Sequence, residues 1–433
     1  MAGQASLILL GVFGMLSILG VPLAVAIVAA ALAAVMLAVP LDMALFTAAQ
    51  KMMASLDSFS LLAVPFFILS GVMMNSGGIA VRLVDFAKLI SGRVPGALAQ
   101  TNIAGNMLFG CISGSAIAAS TSIGGVMVPM SRKEGYDNRF AAAINIVSAP
   151  TGMLIPPTTA FIIYSLVSGG TSISALFIGG AVAGLLWGLG LMVVTAIIAR
   201  KRGYGHTGFP GWAAARRITW AAAPSLMLIV LVIGGITCGI FTAVEASGIA
   251  VLYTLLLALV IHRTVRLRDV PRFLIETTQI TGTIMLLLAA SAALSFAMAF
   301  TGIPAAISAL ILGVSDNPLV VMLIINLILL VVGCFMDIGP AILIFTPILL
   351  PIVQKVGYDP THFGIILVFN LAIGTITPPV GTGLFVGAAV AQERVERIIP
   401  VLGPFYVLLF TLLLLVTYVP ALTMTLPRLF GLL

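Results

Sequence analysis

The chain has 433 residues, 61% of them apolar and 8% charged, with a mean hydropathy of +1.24. Soluble domains carry about 25% charged residues, so thirteen acids and twenty bases cannot dress a surface of this size for water. The solvent is a lipid bilayer, which excludes a soluble enzyme, a disordered tail and a nucleic-acid module, and the +7 balance is read through where the bases sit.

About 20 apolar residues cross a bilayer. In chain order, simple spans are expected at residues 6–20, 21–39, 58–80, 171–199, 218–240, 243–262, 277–300 and 400–425. The first two meet in a turn at Gly20-Val21-Pro22, because one helix over 6–39 would run about 50 Å, too long for one crossing. The N-terminal run lacks a basic leader and reads as a span, not a cleavable signal. Residues 100–170 and 318–392 differ: they are apolar but interrupted by Gly, Ser, Thr and paired prolines. Non-helical backbone at membrane depth persists only where protein or a water-filled cavity surrounds it, so these are the candidate functional segments.

The two segments are copies. Lys133-Glu134-Gly135-Tyr136-Asp137 is matched by Lys355-Val356-Gly357-Tyr358-Asp359, and Gly357 lies 222 residues after Gly135. The same shift carries Pro156-Pro157 onto Pro378-Pro379, Gly152 onto Gly374 and Pro129 onto Pro351. Gly110-Cys111 meets Gly333-Cys334 after one gap. A shared register over these motifs marks an internal repeat. The chain divides into 1–205, with scaffold helices about 1–90 and a hairpin and broken helix about 94–170, and 216–433, with scaffold helices about 216–300 and a second hairpin and broken helix about 318–392.

Cytoplasmic loops carry excess Lys and Arg. The loop with Arg200, Lys201, Arg202, Arg216 and Arg217, the loop with Arg263, Arg266, Arg268 and Arg272, and the turn with Arg132, Lys133 and Arg139 all read as inside. The turn at Gly357 holds only Lys355 and reads as outside. These assignments agree if residues 94–130 and 318–352 each enter and return on one side, giving five crossings per half and both termini periplasmic. The fold class is thus an all-α polytopic membrane protein, an inverted repeat with two re-entrant helical hairpins and two broken helices, the organisation of secondary transporters.

A proline lacks an N–H, so the carbonyl four residues earlier loses its helical partner. Pro156 and Pro157 free Gly152 and Met153, while Pro378 and Pro379 free Gly374 and Thr375. Such carbonyls suit a hard cation such as sodium; a kink satisfied by neighbouring hydroxyls is the structural alternative. The hairpin tips, Gly110 to Ser115 and Gly333 to Pro340, offer small residues and the N-terminal end of the following helix, which suits a carboxylate. Ser113 and Ser115 read as hydroxyl ligands or donors. Asp337 either caps the following helix or lends charge near a cation. Glu245 reads as a local cap, Asn102, Asn106, Asn145, Asn326 and Asn370 as interhelical glue, Trp212 and Trp220 as interface anchors, and Trp187 as a packing residue. Cys111, Cys238 and Cys334 form no CxxC pair, and His206, His262 and His362 are scattered as solvated side chains, so no disulfide framework or transition-metal site is expected. No base lies deep in any expected span, so an organic anion must be held by helix ends, amides, hydroxyls and co-bound cations. Without a Walker A motif the chain does not itself hydrolyse ATP.

The stretches SGSAIAASTSIGGVMVPMSRKEGYD (113–137), GMLIPPTTAFIIYSLVSGG (152–170), GCFMDIGPAILIFTPILLPI (333–352) and GTITPPVGTGLFVGAAVA (374–391) resemble the large membrane subunit of TRAP transporters, the DctM-like or SiaM-like permease, over essentially the whole chain. That resemblance implies sodium-coupled secondary uptake of an organic acid, a sugar acid such as sialic acid or a uronate, or a C4-dicarboxylate, by an elevator motion in the bacterial inner membrane. It implies as partners a separate small membrane subunit, a periplasmic substrate-binding protein and membrane lipid, no organic cofactor and two or more sodium ions. One sodium site carries over onto Gly110, Ser113, Ser115, Gly152 and Ile155, the other onto Gly333, Gly374, Thr377 and Val380. Substrate contacts are expected from Ser113, Gly114, Pro156, Pro157, Thr158, Thr159, Asp337, Pro378, Pro379, Gly381 and Thr382. Where many members read GIxTPTEAA, this chain has Ala243 in place of the proline. The competing readings are a stand-alone carrier of the same superfamily and an intramembrane enzyme, which would need a nucleophile and base pair that the spans do not display.

Overall fold

The computed structural model describes residues 2–76, 79–206, 208 and 210–433, and the described elements are all helical. The first half opens with α1 (Ala2–Ile18) and α2 (Leu23–Val35), parted by a turn in which Gly20 takes a φ of 76°, so the break expected at residues 20–22 is present. Next come α3 (Leu41–Leu56) and α4 (Ala63–Ser76), the latter led by a 3₁₀ turn over Phe59–Leu62 and the two arms bent by 64° at Asp57-Ser58, and α5 (Ile79–Ser91). Hairpin 1 is α6 (Ala97–Ser113) and α7 (Ala116–Lys133). The first broken helix is α8 (Asn138–Ser148), α9 (Thr151–Leu154) and α10 (Thr159–Val167), followed by α11 (Ile173–Arg202).

The second half repeats this order: α12 (Trp212–Thr237), α13 (Ala243–Leu256) with a π-helical extension to Ile261, α14 (Val270–Thr301) and α15 (Ile303–Val314). Hairpin 2 is α16 (Pro318–Phe335) and α17 (Ile338–Lys355). The second broken helix is α18 (Pro360–Gly374) and α19 (Thr382–Ala391), and α20 (Val395–Tyr418) and α21 (Ala421–Leu429) complete the chain. A shift of 222 residues carries both ends of α7 onto those of α17, and the starts of α8 and α11 onto the starts of α18 and α20.

The Gly-Tyr-Asp motif that revealed the repeat is a structural turn. Gly135 and Gly357 take φ values of 79° and 86° after hairpins 1 and 2, a left-handed region open to glycine. Asp137 and Asp359 then cap α8 and α18 by accepting from the N–H groups of Arg139 (3.1 Å) and Thr361 (2.7 Å). Glu245 forms a reciprocal capping box with Thr242, the local role expected of it.

Among the described residues seven helices are long and apolar enough to cross a membrane, or up to nine when each bent pair counts once. Three expected boundaries are corrected. The polar residues Asp42, Gln50, Lys51 and Asp57 hid α3 from a hydropathy reading, yet it packs on α14, where Lys51 sets its ammonium 5.7 Å from the centre of the Phe296 ring. The span expected at 277–300 begins at Val270, with Pro271 in its first turn. The span expected at 400–425 starts at Val395 and breaks at Val419-Pro420, where the missing proline N–H ends α20.

The halves interlock. The second broken helix lays α19 against α7 and α8 of the first half, and the first lays α10 against α17 of the second. Arg132 and Asn138 both donate to the Ala391 carbonyl (2.9 and 3.1 Å), and the Tyr164 hydroxyl donates to the Pro360 carbonyl (2.6 Å), pinning both exchanges. Helix α11 runs between the broken helices, with Trp187 fully buried, tilted on Phe369 and donating to the Val147 carbonyl (2.8 Å). The remaining helices form an outer group in which α14 contacts α2, α3 and α4, and α12 contacts α5 and α13.

Candidate functional site

Each hairpin crosses its own broken helix at a pair of glycines. A Cβ on Gly110 would stand 2.4 Å from the Gly152 Cα, and one on Gly152 would stand 2.6 Å from the Gly110 Cα. In the second half a Cβ on Gly374 would stand 2.4 Å from the Gly333 Cα, and one on Gly333 would stand 3.0 Å from the Gly374 Cα. The four glycines singled out by register are thus the points where backbone meets backbone.

The two breaks satisfy their backbone differently. In the first, the Ile155 N–H closes on the Thr151 carbonyl (2.9 Å), and among the described residues no donor reaches the carbonyls of Gly152 and Met153. That matches the effect expected of Pro156 and Pro157. In the second, the Gly374 carbonyl accepts from the Thr377 N–H (3.0 Å), and the Thr375 carbonyl accepts from those of Gly383 (2.8 Å) and Leu384 (3.2 Å). The expectation that Pro378 and Pro379 leave those carbonyls free is therefore overturned. The chain folds back at Gly381, where a Cβ would stand 2.7 Å from the Thr377 carbonyl, so the start of α19 supplies the donors to Thr375, while Thr377 in the break itself serves Gly374. Both Pro156-Pro157 and Pro378-Pro379 are cis.

The hydroxyls at the breaks are mostly engaged locally. Ser115 caps α7 by accepting from the Ala118 N–H (3.3 Å), and Ser113 donates to the Ser115 carbonyl (3.4 Å). Thr158 caps α10 by accepting from the Phe161 N–H (3.4 Å), and Thr377 donates to the Ile373 carbonyl (2.7 Å). Asp337 stands at the N-cap position of α17 but makes no side-chain cap bond, so the capping alternative falls and its carboxylate remains exposed.

The asparagines are glue, as expected. Asn106 donates to Asn102 (2.9 Å), Asn145 (3.2 Å) and Ser148 (2.7 Å), while Asn145 donates to the hydroxyl and carbonyl of Ser120, both at 3.0 Å. Asn145 thereby ties both arms of hairpin 1 to α8. Asn370 donates to Asn326 alone, through its side chain (2.9 Å) and carbonyl (3.0 Å). His362 departs from the solvated reading: it is buried, with Nδ1 2.8 Å from the Thr423 hydroxyl and Nε2 3.3 Å from the Thr417 carbonyl.

A cavity of about 910 Å³ lies between the two hairpin tips, the start of α10 and the outer helices α2, α4 and α14. Of the residues expected to bind, Ser113, Gly114, Ser115, Pro157, Thr159 and Asp337 line it. Gly110, Gly152, Ile155, Pro156 and Thr158 lie behind that wall. Gly333, Gly374, Thr377, Pro378, Pro379, Val380, Gly381 and Thr382 do not line it either, and Val380 is 43% exposed elsewhere on the surface. Glu276 on α14 joins the lining without having been singled out, as do Asn75 and Thr283. The signal of Glu276 in the sequence was an acid immediately before the uncharged run 277–315. Among the described residues the lining holds two carboxylates, Asp337 and Glu276, and neither lysine nor arginine.

Helical hairpins, broken helices and a shared cavity on this helical frame are those of a multi-pass membrane protein. The family model for the tripartite ATP-independent periplasmic transporter, DctM component, matches residues 10–422, and the chain belongs to that family as a large permease subunit. It is 46% identical to the uncharacterised protein YgiK of Salmonella typhimurium over 98% of both chains. It is 39% identical to the isethionate TRAP transporter permease DctMQ of Oleidesulfovibrio alaskensis, over 96% of this chain and 65% of that one. To the sialic acid TRAP transporter large permease SiaM of Vibrio cholerae it is 38% identical, over 88% and 90%. The crystal structure of the Alcanivorax borkumensis YdaH transporter shares the fold, with a TM-score of 0.63 at 13% identity, covering 86% of this chain and 87% of that one.

Proposed function

We infer that this chain carries a small organic acid across the bacterial inner membrane, coupled to sodium entry, by moving the hairpins and broken helices as one body past the outer helices. One observation carries the reading: the cavity between the hairpin tips presents hydroxyls and amides with two carboxylates and no base. An organic anion entering it meets like charge, so its binding requires co-bound cations to offset that charge. The open carbonyls of Gly152 and Met153, beside the Ser113 and Ser115 tip, supply the oxygen donors a hard cation takes. The second break has the Gly374 carbonyl engaged by one N–H and the Thr375 carbonyl by two, which makes it the weaker of the two cation sites. The interlocked halves support the moving body, because α10 and α19 cannot shift without carrying α17 and α7.

A periplasmic binding protein delivers the acid and a separate small membrane subunit holds the outer helices; both termini face the periplasm. Relatives named for isethionate and sialic acid support an organic anion. Thr159 in the lining favours a hydroxylated sugar acid. The test is uptake of a panel of labelled organic acids into liposomes holding the chain, small subunit and binding protein, with and without an inward sodium gradient. Sodium-dependent uptake is the expected result. Uptake driven by a proton gradient and indifferent to sodium overturns the coupling, and uptake that persists without the binding protein and small subunit overturns the assembly.

A further inference from the structure

A second cavity of about 820 Å³ opens where the end of α5 meets the start of α12. Its lining includes Ile90, Arg93, Trp212, Arg216, Thr219 and Trp220. Trp212, Arg216 and Trp220 follow at four-residue spacing, so they form one stripe over the first turns of a membrane-spanning helix. The two indoles are 83% and 80% exposed, and Ile90 from α5 is 58% exposed beside them. Among the described residues no carboxylate pairs with Arg216, and none lines the groove. In sequence, the last turn of α11 adds Arg200, Lys201 and Arg202, and α12 adds Arg217.

We propose that this groove is a binding site for one anionic phospholipid, with Arg216 holding the headgroup phosphate and Trp212, Trp220 and Ile90 flanking the upper acyl chain. The charge argument selects the occupant. A protein segment covering the groove would need its own acid to meet Arg216, whereas an anionic lipid brings its charge to the depth at which indoles settle. A guanidinium at the membrane surface enriches an anionic over a zwitterionic lipid several-fold.

The chain has three tryptophans, and Trp187 is fully buried, so the accessible indoles are the two in the groove. The full chain, with its small subunit, is placed in phosphatidylcholine vesicles containing a small fraction of brominated phosphatidylglycerol or brominated phosphatidylcholine, and tryptophan quenching is read. The expected result is strong quenching by the brominated phosphatidylglycerol at fractions where the brominated phosphatidylcholine does little. Arg216→Gln abolishes that excess, and Arg217→Gln, equal in charge but outside the lining, keeps it. Equal quenching by the two lipids overturns the proposal, as does an excess lost equally in both variants. Protection of the indoles from either lipid by the small subunit also overturns it and assigns the groove to a protein partner.

Discussion

The two broken helices start from the same sequence device and end in different chemistry. Each follows an Asp-capped helix, each is pressed at a glycine against its own hairpin, and each carries a Pro-Pro pair. The first leaves the Gly152 and Met153 carbonyls without donors, whereas the second folds α19 back so that Gly383 and Leu384 donate to Thr375. Only the first contributes to the cavity wall. Repetition therefore fixes the scaffold of each break, while the few residues after the prolines decide whether its carbonyls stay available.

The comparison is most strongly broken at the glycine crossings. Gly110→Ala and Gly374→Ala each put a methyl group about 2.4 Å from facing backbone, which must move. Overpacking of this kind costs roughly 1–3 kcal/mol or more, so both variants are expected to lose thermal stability in detergent and to lose uptake. Gly333→Ala, with 3.0 Å to the nearest atom, is expected to be milder. Equal effects at Gly333 and Gly374 would contradict the asymmetry within that pair.

Next come the asparagines. Asn145→Ala removes one of the three acceptors of Asn106 and the donor to both the Ser120 hydroxyl and carbonyl, cutting the ties that Asn145 makes from α8 to both arms of hairpin 1, and is expected to cost about 1–3 kcal/mol of stability. Asn370→Ala releases one partner residue and is expected to cost less, as denaturation of the two variants in one detergent would show.

The smallest effect is expected at the seam between α19 and α20. Burial pushes the Glu393 carboxyl up, but the Asn138 amide, the Arg394 N–H and the charges of Arg397 and Arg139 together hold it below the ordinary glutamate value. A depressed folded value gives stability that is present above the unfolded pKa and lost as pH falls through the folded one. Glu393→Gln should therefore flatten the acid side of the melting-temperature profile slightly and leave neutral-pH uptake unchanged.

Much of this was legible in the sequence because the repeat is written in residues with strong backbone demands. Gly135 and Gly357 must end a helix, Asp137 and Asp359 must start one, and the paired prolines must break one. The hairpins and breaks followed from those positions. What escaped depends on partners far along the chain. Helix α3 is stabilised by packing on α14 despite its polar residues, and His362 is buried because Thr417 and Thr423 come to it. The closure of the second break rests on Gly383 and Leu384 returning to Thr375, which no hydropathy pattern encodes. Glu276 entered the cavity only through the lie of α14 against the hairpin tips.

The most direct test of the central claim, that the first break is the stronger sodium site, is a sodium titration of thermal stability at constant ionic strength, with potassium as the exchanged ion. Binding to the folded state raises stability by RT ln(1 + [L]/Kd), about 2.7 kcal/mol at one hundred times Kd. The account predicts that sodium stabilises the wild type, that Ser115→Ala shifts the response to much higher sodium relative to its own baseline, and that Thr377→Val shifts it less. A melting temperature indifferent to sodium, or a response lost in Thr377→Val and kept in Ser115→Ala, would contradict it.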